Sequence, residues 1–145
     1  MKRRGIQLSL RHKRWFYFVS VTLFLSGALW VLAGWLVEQG KVFAEALDTC
    51  QPWLLKIHGG AAMAFLVALG ILIPTHIKRA WQVRRNRANG AFFVTVMGLL
   101  VVTGYGLYYF ALDDTHALVS AAHWIVGLAA IGLFWTHLRI GRNSR

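Results

Sequence analysis

Six histidines stand in this chain of 145 residues, and imidazole is the side chain best suited both to bind a metal and to exchange a proton near neutral pH. Five of the six fall in two stretches that are otherwise almost free of polar groups. His58 and His76 bracket the segment GGAAMAFLVALGILIPT, which has no charge and a single hydroxyl. His116, His123 and His137 lie in a second such stretch, while His12 sits between Arg11 and Lys13 and reads as a solvated neighbour of those charges. Other reactive groups are sparse. Cys50 is the only cysteine, so no intramolecular disulfide is available, and there is no C-x-x-C-H motif for covalent haem attachment. No acid lies within an apolar stretch, which leaves a proton pump or ion-coupled transporter little to work with.

The elements that must position these imidazoles follow from charge and hydropathy. Residues 15–37, 57–77, 91–112 and 115–138 contain no Asp, Glu, Lys or Arg. A helix needs about 20 apolar residues to cross a hydrocarbon core of ~30 Å, and each run is that long. Apolar residues make up 57% of the chain, with seven Trp and nine Phe, beyond what a soluble domain of this size uses. The predicted fold class is all-α: an integral membrane, up-down four-helix bundle forming a single domain over 1–145, with helices at about 14–37, 53–77, 91–112 and 115–138. "NRANG" supplies a turn before the third helix, and in "LDDTH" Asp114 or Thr115 is placed to cap the fourth. Short connections make sequential helices antiparallel neighbours, so the second and fourth run the same way. Trp15, Trp35, Trp53 and Trp81 mark the interfaces. Gly27, Gly34, Gly98, Gly104 and Gly106 suit close helix packing, and a bound ring would use the same space.

The net charge of +11 raises the question of nucleic acid, and its placement answers it. Fourteen of the 16 basic residues fall before the first run, between the second and third, or after the fourth; only Lys41 and Lys56 share the opposite side with all five acids. That is the positive-inside pattern, with both termini cytoplasmic, and anionic headgroups account for it without DNA or RNA. The first run is far longer than a signal-peptide core and reads as an uncleaved anchor. A basic, loop-poor helical chain of this kind suits a bacterial inner membrane, with the lipid bilayer as its first partner.

At ~100° per residue, the 18 positions from His58 to His76 make five full turns, and the 14 from His123 to His137 return to within ~40°. One face of the second helix therefore reads His58, Ala62, Phe65, Leu69, His76, and one face of the fourth reads His123, Gly127, Ala130, Phe134, His137. Small residues one turn inside the outer histidines leave room for a flat macrocycle, and two imidazoles at each depth would give haem iron both axial ligands. His76 and His137 each precede the first inner basic residue by two positions, which sets them level. His58 lies ~27 Å outward from His76, against ~21 Å from His137 to His123 and ~31 Å from His137 to His116. His123 is the preferred outer partner of His58 because it lies deep in its run, where an ionisable group is by default functional. His116 is the alternative outer ligand. A low-dielectric surrounding keeps such an imidazole neutral, the state that binds metal.

"HWIVGLAAIGLFWTH", from His123 to His137, is similar in its H-x13-H spacing to the ligand helices of di-haem cytochromes b. Its opening H-x-x-x-G also resembles the haem helices of small bacterial cytochrome b561-type and hydrogenase cytochrome b proteins. The likeness covers all four helices in layout and the second and fourth in specific residues. It departs in the second helix, whose pair is 18 apart rather than 14, and in the first, which has no histidine where several such relatives place a ligand. The resemblance implies two haem b groups, transmembrane electron transfer, and a quinone or redox-protein partner, with the chain possible as a subunit of a larger oxidoreductase. Lys56, Lys78, Arg79 and Arg139 are candidates for propionate contacts as well as topology signals. The Gly- and Tyr-rich "TGYGLYYF" offers a quinone site or, more simply, an aromatic belt. Pro74 is expected to kink the second helix next to His76. Two other readings stand beside this one: a haem-free membrane subunit or assembly factor, and a small copper- or iron-handling membrane protein using His58, His123 and His137. The lack of Met-rich or Cys-x-x-Cys segments weighs against the latter.

Overall fold

The computed structural model describes residues 10–40, 43–82, 84, 86–110 and 113–143. Among the described residues every regular element is helical: α1 (Leu10–Glu38), α2 (Ala44–Leu72), a π-helical turn (Ile73–Ile77), α3 (Lys78–Gln82), α4 (Arg87–Tyr109) and α5 (Asp113–Asn143). Four of these helices are long and apolar enough to cross a membrane, over Leu10–Glu38, Glu45–Leu72, Arg87–Tyr109 and Asp114–Gly141. Helix is the form such segments take in lipid, because no water is present to bond backbone N–H and C=O groups and an α-helix satisfies both internally. Leu29, Leu32, Val67, Val102 and Ile125 are all exposed on the protein surface, a distribution that suits a hydrocarbon surrounding. The chain divides into two compact units, Met1–His76 and Ile77–Arg145.

In the first unit α1 and α2 form an antiparallel hairpin. Phe16 meets Phe65, Ser26 meets His58 and Gly34 meets Gln51, so positions rise along one helix as they fall along the other. The seam is thin. Val19, Ser26 and Ala33 are the buried residues of α1, spaced by seven, and Ala61 and Ala68 are buried on α2, again spaced by seven. That interval keeps one stripe of each helix against the other over several turns. Small side chains let the backbones approach where lipid provides no hydrophobic drive for helices to associate.

The second unit repeats the arrangement with α4 and α5. Phe93 lies against Phe134, Thr103 against His123, and Asn89 against His137. The turn leading into α4 has two left-handed residues, Arg84 (φ 58°) and Asn86 (φ 51°). Arg87 closes it, its guanidinium donating to the Trp81 carbonyl at 2.9 and 2.6 Å while lying over the Trp81 ring.

Helix boundaries differ from the sequence expectation at several ends, among them the starts of α2, α4 and α5. α2 starts at Ala44 rather than near 53, because Ala44-Glu45-Ala46-Leu47 are strong helix formers and Glu45 favours the positive end of the helix dipole; the helix then runs through Pro52. α4 starts at Arg87, so Asn89 and Gly90 of "NRANG" belong to the helix and only Asn86 to the turn. α5 starts at Asp113, which puts Asp114 and Thr115 in its first turn instead of ahead of it. At Pro74, the expected disturbance takes the form of the π turn Ile73–Ile77: proline has no N–H for the i−4 carbonyl and crowds it, and a wider turn relieves that crowding.

The thin seam should not accept bulk. Ala68→Leu, at a position only 3% exposed, is expected to cost about 1–3 kcal/mol by overpacking. The measurement is the thermal midpoint of the full chain in detergent. Val67→Leu, one residue away and exposed, should leave that midpoint unchanged.

Candidate functional site

Each hairpin holds one imidazole against the glycine of its partner helix. On α2, His58 is half-buried, and its Nδ1 lies 2.9 Å from the Leu23 carbonyl and 3.3 Å from Ser26 Oγ, both on α1. The ring lies close against Gly27, where an added Cβ would stand 2.8 Å from its Cε1 and 2.9 Å from its Nδ1. No larger residue fits there without moving the ring. A carbonyl can only accept, so the proton of His58 is on Nδ1 and the lone pair is on Nε2. Metal-binding histidines are arranged this way, with the other ring N–H donated to a carbonyl or carboxylate.

On α5, His123 is likewise half-buried. Its Nδ1 lies 2.8 Å from Thr103 Oγ1 on α4, and a Cβ on Gly104 would stand 3.1 Å from its Cε1. The two seats thus have the same parts: a hydroxyl residue, the glycine after it, and a histidine from the second helix of the hairpin. Gly27 and Gly104, which the sequence assigns to close packing, make their close approaches to imidazoles. Gly34 approaches the Gln51 side chain, and neither Gly98 nor Gly106 has anything within 4 Å of a built Cβ. Gly127, expected to leave room beside His123, would place a Cβ at ordinary contact distance, 3.9 Å, from Leu100.

The likeness of the seats extends into the sequence. Residues 16–27 read FYFVSVTLFLSG and residues 93–104 read FVTVMGLLVVTG. Phe16 and Phe93, Val19 and Val96, Leu23 and Leu100, Ser26 and Thr103, and Gly27 and Gly104 correspond. Both phenylalanines pair with a phenylalanine of the following helix at an interplanar angle of 35°. The second helices approach their inner ends through Thr75-His76-Ile77-Lys78 and Thr136-His137-Leu138-Arg139. The two hairpins thus share these features at corresponding positions. Following histidines alone hides this, since the shared signal on α1 and α4 is a Phe, a hydroxyl residue and a glycine at fixed intervals.

The other candidate ligands have different settings. His137 stacks on Phe93 with ring centroids 5.0 Å apart, and its Nδ1 lies 3.1 Å from the Asn89 amide nitrogen. An amide assigned in the opposite sense would present its oxygen there and accept from Nδ1–H. His76 lies inside the π turn and is exposed; because an i→i+5 turn advances each residue by less than an α-helix does, the regular five-turn count from His58 does not run through to it. His116 is exposed in the first turn of α5 and His12 is exposed in the first turn of α1. Of the basic residues weighed for propionate contacts, Lys56 lies over Trp53 and Arg139 over Trp135, Lys78 is exposed, and the Arg79 side chain falls outside the described residues. Tyr105, Tyr109 and Phe110 form an exposed aromatic cluster at the end of α4. Cys50 is exposed.

Comparison of the chain with protein-family models, with curated proteins and with solved structures finds no match in any of the three.

The ring-on-glycine contact makes a graded prediction. Gly27→Ala is expected to displace the His58 ring and lower the thermal midpoint in detergent. Gly104→Ala should do so less, and Gly106→Ala should be neutral or stabilising by up to ~1 kcal/mol through helix propensity alone. Equal effects at all three positions would contradict the contact.

Proposed function

We propose that the chain is a membrane-embedded b-type cytochrome that binds two haem b groups through His58, His76, His123 and His137 and carries electrons between a quinol or redox-protein partner and an acceptor, alone or as the cytochrome b subunit of a larger oxidoreductase. The observation that carries this reading is the pair of half-buried imidazoles, His58 and His123, set within apolar spans and pressed onto glycine. An imidazole at such a position is costly unless it is used. The pairing of His58 with His123 and of His76 with His137 comes from the depth counts along the chain. His123 is favoured over His116 as outer ligand because Thr103 and Gly104 hold it.

The donor set suits haem better than a bare ion. Among the described residues no three His, Cys, Asp or Glu side chains come together, as a copper- or iron-handling site would need, whereas a bis-His haem asks the protein for only two ligands per iron. When bound, haem iron would supply reversible one-electron chemistry. The chain's own share is to hold neutral imidazoles at set depths, to keep water away with Phe16, Phe65, Phe93 and Phe134, and to set positive charge near the ends of the spans. The placement of the basic residues supports a bacterial inner membrane with both termini in the cytoplasm.

The test is the colour of the purified protein. Dithionite reduction should give a sharp α-band with about two haems per chain, the number set by one bis-His pair per iron. His123→Ala should remove one haem, and His116→Ala should leave both. A colourless protein made with ample haem supply would overturn the reading in favour of a haem-free subunit.

A further inference from the structure

We infer that Ser26 and Thr103 are positioning residues, each fixing the imidazole opposite it in the Nδ1–H form so that Nε2 carries the lone pair. A hydroxyl has one proton to give. Ser26 Oγ lies 2.7 Å from the Thr22 carbonyl and 3.1 Å from the Leu23 carbonyl of its own helix. Thr103 Oγ1 stands in the same relation to Leu99 and Leu100, at 2.8 and 3.2 Å. With its proton directed back to these carbonyls, each hydroxyl can face an imidazole only as an acceptor, and Nδ1 must donate. At His58 the Leu23 carbonyl requires the same answer independently, since it too only accepts. In the second hairpin Thr103 makes the shorter contact, 2.8 Å against 3.3 Å for Ser26.

The hydrogen bonds support the tautomer by themselves; its use, presenting Nε2 to iron, rests on the haem reading. A donated Nδ1–H also makes the imidazole a stronger electron donor, so the two hydroxyls would tune the redox potential as well as aim the rings.

The test uses the full chain labelled with ¹⁵N-histidine, in detergent micelles and kept reduced, because the two tautomers differ in their ring-nitrogen shifts whether or not iron is bound. Wild-type protein should show His58 and His123 both protonated at Nδ1. Thr103→Val should move the His123 signals and leave those of His58, and Thr103→Ser should restore them. In pigmented protein, Thr103→Val should raise the midpoint potential of one haem only, again with rescue by serine. A wild-type His123 protonated at Nε2 would overturn the inference, as would signals and potential indifferent to Thr103→Val. A colourless protein with Nδ1–H at both histidines would sink the haem proposal and leave the positioning role standing.

Discussion

In lipid a polar side chain must find its hydrogen-bond partner within the protein, and the main constraint on this chain is where two imidazoles find theirs. His58 and His123 each reach across a hairpin to the helix before them. For that the helices must be close, and Gly27 and Gly104 are the positions at which closeness is secured. The thin Val-Ser-Ala and Ala-Ala stripes follow from the same requirement, since a bulky seam would hold the rings off their acceptors. Packing and site are one feature in these hairpins: the residues that let the helices touch are those that seat the histidines.

Much of this was legible in the chain, and for physical reasons. Charge-free runs of about 20 residues gave four helices, because a helix of that length spans the hydrocarbon and satisfies its own backbone there. Short connections gave antiparallel neighbours, seen as α1 on α2 and α4 on α5. Helix ends were less legible. The reading started the second helix near 53 and put Asn89 and Gly90 in a turn, yet neighbouring helix formers extended α2 back to Ala44 and α4 begins at Arg87, directly after a left-handed Asn86. The histidines were picked out by their rarity in apolar sequence, and His123 was preferred to His116 for its depth and for Gly127 one turn inside it. Their partners were not foreseen, because which hydroxyl meets which ring depends on hairpin register, and register lies in the pairing of two distant segments rather than in either one.

The two hairpins are alike in some features and differ in others. Seat and phenylalanine pair are kept, and so is the Thr-His-aliphatic-basic ending. The interval between histidines is not: it is one helical turn longer in α2 than in α5, and the longer version contains Pro74 and the π turn. His137 stacks on an aromatic ring within its hairpin, while His76 lies in the π turn. Equivalence holds at the seats and fails at the second row of imidazoles.

The π turn has one more consequence. A wide turn of this kind accommodates a surplus residue without breaking the helix, so the direction of His76 is governed by residue count as much as by its neighbours. Deleting one position from 73–77 would let the backbone close into ordinary α-helix, re-aiming the residues inside the turn while those beyond it keep nearly the same direction about the axis. The bearing of that imidazole is therefore a matter of chain length, open to adjustment by a single inserted or lost codon while the seam and both seats stay as they are.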